Sequence, residues 1–188
     1  YDLAYLRCIP NLIIYSPLNE IELRNILYTA QLGLDHPIAI RYPRGRGVTI
    51  DWKKPYEKIT IGKAKCLANG TDTAVLSTGP IGKNVSLALA NLGQPKSISH
   101  YDFAFIKPLD EKELHDIFNT FQRVITLEDG TTKGGFGGAI TEFAAQYNYQ
   151  SQIIILGIPD LFIDQGTVLE QQQFCKIDVK SLANLFSI

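Results

Sequence analysis

Residues 123–147 read RVITLEDGTTKGGFGGAITEFAAQY, and this stretch decides the fold. Arg123–Leu127 is a short apolar run of the kind that forms a strand buried in a sheet. A glycine-rich turn follows it. Phe136, Ile140, Phe143, Ala144 and Tyr147 then recur at the spacing of one helical face. A strand that turns tightly into an amphipathic helix is half of a βαβ unit, so a mostly parallel sheet with helices on its faces is expected.

The alternation extends outward in both directions. Downstream, Ile153–Leu156 reads as a strand, Thr167 with Glu170 marks a helix start, and Asp178 heads a last helix through Val179, Leu182, Ala183 and Phe186. Upstream, Asp110 with Glu113 opens a helix carrying Leu114, Ile117, Phe118 and Phe121 on one face. Before it come a strand at about Ser97–Phe103 and a helix with Ile81, Val85, Ala88, Leu89 and Leu92 aligned. Two further strands are expected at about Ile61–Leu67 and Thr73–Thr78. The unit is therefore an α/β fold with a five-stranded sheet. Its first two strands are joined only by Ala68–Asp72, including Asn69-Gly70, which is too short for a crossover helix. That pair is expected to be antiparallel within an otherwise parallel sheet.

From Arg44 to about Ile59 the pattern dissolves into glycines, Asp51, lysines and Pro55, with Trp52 and Tyr56 as the packing residues. Residues 1–47 are thus expected to be the end of a partial α/β domain, 48–60 a linker and 61–188 a second domain. The first part reads as strand, helix, strand. Leu12–Tyr15 is broken by Ser16-Pro17, and Asn19 with Glu22 starts a helix whose apolar face is Leu23, Ile26, Leu27 and Ala30. That helix ends near Gly33, and Ile38–Tyr42, bounded by Pro43, reads as a strand buried in a parallel sheet.

Composition excludes several function classes. The 188 residues are 45% hydrophobic, enough for a packed core, and 18 basic against 19 acidic residues leave a net charge of −1. No basic run is present to grip nucleic acid, and apolar stretches such as Ile153–Ile158 are too short to span a bilayer. With no signal peptide at its start, the chain is expected to be cytoplasmic. Cys8, Cys66 and Cys175 lie in no metal or disulfide spacing, and His36, His100 and His115 are equally isolated, so no metal site is expected. The chain opens at Tyr1 and contains no methionine, which reads as a fragment of a longer product.

Three segments are candidates for chemistry. Arg41-Tyr42-Pro43-Arg44-Gly45-Arg46-Gly47 follows a strand, at the end where open α/β sheets bind ligands. Its guanidinium forks suit phosphate or carboxylate, although an interdomain salt bridge or a solvated turn would use the same residues. The run from Glu128 to Gly138 places glycines before a helix, which serves either an anion or close helix-to-sheet packing. It has neither the closing Lys-Ser/Thr of a P-loop nor the order of a dinucleotide fingerprint. Gly157–Gly166 mixes aromatic and acidic residues, as an interface or pocket rim would, or a structural turn.

Four stretches together resemble the 1-deoxy-D-xylulose-5-phosphate synthase family: Tyr1–Pro10, Ile40–Gly45, Phe105–Asp110, and Gly157–Asp160 with Phe162–Gly166. The resemblance runs through essentially the whole chain and implies the end of a pyrimidine-binding domain followed by a transketolase-type C-terminal domain. It implies a transferase that uses thiamine diphosphate and Mg²⁺ to condense pyruvate with glyceraldehyde 3-phosphate, releasing CO₂ and supplying isoprenoid and thiamine precursors. It makes Arg44 the residue that holds the acceptor's phosphate, with Arg41 a neighbouring candidate that orients the loop. A homodimer is implied as well. The family's activating glutamate, catalytic histidines and metal-binding GDG motif have no counterpart here, so this polypeptide alone is expected to be inactive and to bind no cofactor. Other readings are a transketolase or a 2-oxoacid dehydrogenase β-type subunit, a non-catalytic assembly module for 61–188, and a free-standing nucleotide-binding domain.

Overall fold

Strand β4 (Thr73–Ser77) is buried at every residue, which only a central strand with both faces covered can be. The computed structural model, which describes residues 1–45, 47 and 54–187, places it inside a five-stranded sheet. The order is β3 (Lys65–Ala68), β5 (Ile98–Asp102), β4, β7 (Arg123–Thr131) and β8 (Gln152–Ile158). β4 pairs in parallel with β5 and β7, and β7 in parallel with β8. Helices α3 (Gly82–Asn91), α4 (Glu111–Thr120), α5 (Phe136–Gln146), α6 (Val168–Phe174) and α7 (Val179–Phe186) supply the crossovers and the C-terminal cover.

The antiparallel strand is β3, as expected, but its partner is not. β3 pairs with β5 and not with its sequence neighbour β4. The five-residue link lets the chain reverse direction without placing the two strands side by side. Gly70 sits against the backbone of Ile98, and its N–H donates to Ser99 Oγ at 2.7 Å, so the link crosses the end of β5. A short connection rules out a crossover helix but does not choose the neighbour.

Four further elements precede β3. The sheet of β1 (Ile13–Tyr15) and β2 (Ile38–Ile40) is parallel, with α2 (Glu20–Gln31) between them. Asn19 caps α2 by accepting from the Glu22 N–H at 3.0 Å. β2 is shorter than the expected Ile38–Tyr42 and only half-buried, because it forms an edge. Leu27 is exposed rather than buried, and Tyr147, just past α5, is partly exposed while its ring rests against His115 and Phe143. Two elements were not expected at all. Helix α1 (Asp2–Leu6) buries Leu3 in the main core, and β6 (Phe105–Lys107) pairs antiparallel with β1. Residues on both sides of the 48–60 stretch therefore share one sheet. Trp52 and the first part of that stretch lie outside the described residues.

Two apolar layers sandwich the five-stranded sheet. Leu76, Val124, Phe136, Ile140 and Leu114 lie in one, and Val75, Ile125, Val85, Leu89 and Leu182 in the other. The caps read from sequence are in place: Asp110 accepts from Glu113, Thr167 and Glu170 form a reciprocal capping box, and Asp178 accepts from Lys180 and Ser181. Leu76 is fully buried in the central strand. Leu76→Ala should destabilise the fold by about 2–5 kcal/mol, read as a lower urea midpoint at unchanged slope.

Candidate functional site

β2 delivers the Arg41–Gly47 segment to the carboxyl edge of its sheet, and the Arg41 N–H is held by the Tyr15 carbonyl at 2.8 Å. There the two described arginines part company. Arg41 turns inward: its Nε donates to Asp2 at 2.8 Å, its Nη1 to the Asp129 carboxylate and its Nη2 to the Asp129 carbonyl at 3.2 Å. It ties three chain segments together, with each of its three guanidinium nitrogens engaged. Arg44 is exposed and, among the described residues, makes no hydrogen bond or ion pair. Arg46 lies outside the described residues.

Arg44 lines a cleft of about 510 Å³. Pro17, Asn19 and Glu20 from the start of α2 form one wall, and Pro80, Lys83 and Ser86 from the start of α3 form another. The cleft is within the size range of small-molecule sites. Its position follows from the sheet order. The crossover from β4 runs to β5 on one side and the crossover from β7 runs to β8 on the other, so β4 and β7 flank the switch point where open sheets bind ligands. Pro80 and Lys83 follow β4 directly. Lys83 carried no signal in the sequence, because a single lysine becomes meaningful only when folding sets it beside another cation.

The glycine run resolves in favour of packing. Glu128 is buried at the end of β7, and its Oε1 accepts from the Gly137 N–H at 2.9 Å. The anion at the start of α5 is thus the protein's own carboxylate. Burial pushes the Glu128 carboxyl up, while the N–H groups of Gly137 and Phe136 and the charge of Arg41 pull it back. A Cβ on Gly135 would collide with the Glu128 carboxylate, and one on Gly130 would lie 2.8 Å from Oε2. Arg7 closes the loop from outside, its Nη1 donating to the carbonyls of Gly134 at 2.6 Å and Gly135 at 3.0 Å. The segment 157–166 behaves differently at its two ends. Gly157 packs under the Gly130 carbonyl, whereas Leu161 and Phe162 stand exposed.

The described residues offer no donor set for Mg²⁺. No three of their His, Cys, Asp and Glu side chains group together, and the carboxylates of the Glu128-Asp129-Gly130 sequence are committed to Gly137 and Arg41. Cys8, Cys66 and Cys175 are free thiols. His100 is a core histidine, its Nε2 2.8 Å from Ser77 Oγ and its Nδ1 3.4 Å from Ser86 Oγ. Burial lowers its pKa to about 4, so it is neutral at physiological pH. Asp102, two residues further along the same strand, is buried with neither carboxylate oxygen hydrogen-bonded to the protein. Burial, aided by the charge of Glu22 and opposed by Lys65, raises it to about 8.

Two consequences can be measured. Gly135→Ala should cost about 2 kcal/mol in chemical unfolding by displacing the Glu128 carboxylate from the helix start, and much less in a Glu128→Ala background. The second concerns pH. Native Asp102 keeps its proton to about pH 8 while the unfolded chain loses it near 3.8, so stability falls as pH rises through that window. Native His100 refuses a proton that the unfolded chain takes near 6.5, so stability falls as pH drops from there toward 4. The slopes oppose each other below pH 6.5, and above it Asp102 acts without that opposition. Stability should decline by up to about 2 kcal/mol between pH 6.5 and 8, and Asp102→Asn should flatten the decline in urea titrations.

Comparison with known proteins agrees with this architecture. Residues 62–182 match the model of the transketolase C-terminal domain. The chain is 50% identical over 184 residues to a 1-deoxy-D-xylulose-5-phosphate synthase of Bacteroides thetaiotaomicron, covering 97% of this chain and 28% of the relative. It is also 50% identical over 185 residues to the synthase of Cytophaga hutchinsonii, covering 97% and 29%. It therefore spans less than a third of the length of these relatives. Among solved structures, a split-gene transketolase described as an inactive beta4 tetramer superposes with a TM-score of 0.84 at 22% identity, over 99% of this chain and 60% of that one. With the family model matched over more than half of its length, the chain belongs to the transketolase C-terminal domain family.

Proposed function

We propose that this chain is part of a 1-deoxy-D-xylulose-5-phosphate synthase, which joins a two-carbon unit from pyruvate to glyceraldehyde 3-phosphate with release of CO₂. Sequence identity of 50% over nearly the whole chain supports the reading. Residues 1–47 would then close a pyrimidine-binding domain, 48–60 link it onward, and 61–188 form the C-terminal domain. Thiamine diphosphate, held with Mg²⁺, supplies the carbanion chemistry when bound. The described residues group no three His, Cys, Asp or Glu side chains for Mg²⁺, and we assign both groups to parts of the full-length polypeptide outside this chain, and the chain alone to an inactive state.

The observation that carries the local assignment is the contrast between the two arginines. Arg41 is consumed by Asp2 and Asp129, whereas Arg44 stands in the cleft without a partner among the described residues. We assign Arg44 to the phosphate of the acceptor and Arg41 to holding the loop that presents it. A sugar-phosphate acceptor favours a synthase or transketolase over a 2-oxoacid dehydrogenase β-type subunit. The assembly reading of 61–188 has its own support in Leu161, Phe162, Leu169 and Phe174, all exposed, with Phe162 at 95%. We assign these exposed apolar side chains to a homodimer contact. No helix of the described residues is long and apolar enough to cross a membrane, in keeping with a cytoplasmic enzyme.

The test is acceptor-dependent CO₂ release from pyruvate by the full-length gene product, with cofactor, Mg²⁺ and glyceraldehyde 3-phosphate. Arg44→Ala should raise the acceptor KM by about tenfold or more with a smaller change in kcat, as expected for loss of a charge-assisted phosphate contact. A wild-type protein that releases no CO₂ under these conditions would rule out the synthase reading.

A further inference from the structure

Lys83 is the second residue of α3, in the first turn of the helix. A lysine there is placed against the helix macrodipole, which favours anions at this end, so helix energetics do not explain it. It is exposed, and among the described residues its side chain makes no hydrogen bond or ion pair. It lines the same cleft as Arg44. Glu20, the acidic residue on the α2 wall, packs against Gly47 and is already engaged, which leaves Arg44 and Lys83 as the cations without partners on the described lining.

A phosphate monoester carries close to two negative charges near neutral pH, and one guanidinium balances only half of that. An ammonium on a flexible stem is suited to supply the remainder as a point charge, from a different chain segment and without a fixed approach geometry. We propose that Lys83 is a second contact for the acceptor's phosphate, reaching the cleft from the C-terminal domain while Arg44 reaches it from the preceding one. This deepens the function proposed above and rests on it. The C-terminal domain then contributes directly to choosing a phosphorylated acceptor, and the relative placement of the two units sets acceptor affinity. Ser86, one helical turn on and on the same wall, is polar but tied to His100, so it shapes the cleft without adding charge.

The experiment uses the full-length enzyme with glyceraldehyde 3-phosphate and, separately, with unphosphorylated glyceraldehyde. Wild type, Lys83→Ala, Lys83→Arg and Arg44→Ala are compared. Lys83→Ala should raise KM for the phosphorylated acceptor about five- to tenfold, leave kcat within about twofold, and leave the unphosphorylated acceptor unchanged. Lys83→Arg should restore most of the lost affinity, and inorganic phosphate should inhibit Lys83→Ala more weakly than wild type. An unchanged KM in Lys83→Ala, or an equal rise with both acceptors, would overturn the role of Lys83. If Arg44→Ala still raises KM in that case, the function proposal stands and only the second contact falls. If neither substitution discriminates between the acceptors, the phosphate reading of the cleft falls with it.

Discussion

The carboxylate of Glu128, buried at the start of α5, is the constraint around which the carboxyl end of the larger sheet is built. A buried carboxylate is costly without hydrogen-bond donors, and the first N–H groups of a helix are donors without partners. Bringing the two together gives Oε1 of the carboxylate a donor and the Gly137 N–H an acceptor, but only if the chain can approach the carboxylate closely. That requirement accounts for Gly130 and Gly135, where a side chain would strike Glu128. It also accounts for the next residue, Asp129. With Glu128 turned into the helix, Asp129 is free to meet Arg41 on the other side.

From that junction the two parts of the chain are joined by charge as well as by apolar packing. Arg41 bridges Asp129 to Asp2, Arg7 takes the carbonyls of Gly134 and Gly135 and pairs with Glu142, and Lys107 donates to the carbonyls of Arg7 and Ile9. Leu3 inserts into the same core as Phe136 and Ile140. Helix α1 and the end of β2 are thereby fixed to the βα unit that follows them by more than 80 residues in sequence. The cleft that carries Arg44 and Lys83 is a product of this arrangement, since its walls come from both parts of the chain.

Much of the fold was legible because it depends on period and on local caps. The apolar faces of α3, α4, α5 and α7 are those read from 3.6-residue spacing, and Asn19, Asp110, Thr167 and Asp178 cap the helices that they head in sequence. The failures share a cause. β6 is three residues long and α1 five, too short to show a period, and both are stabilised by what they pack against. Leu27 and Tyr147 satisfy the helical spacing yet stand at the margin of the buried stripe. Of the candidate site, the basic segment was visible as composition, but the division of labour between Arg41 and Arg44 was not. Two arginines three residues apart look alike until one of them is given Asp2 and Asp129.

The sequence by itself determined the alternation of strands and helices, the helix starts, the absence of long apolar or basic runs and the position of the basic segment, because each depends on residues near one another in the chain. Only the tertiary structure decided that β3 lies beside β5, that Glu128 and not a ligand occupies the start of α5, and that Lys83 shares a cleft with Arg44. Those outcomes depend on contacts between residues tens of positions apart. Such contacts are selected by which surfaces can be buried together and which charges can be paired, and a linear pattern does not record that choice.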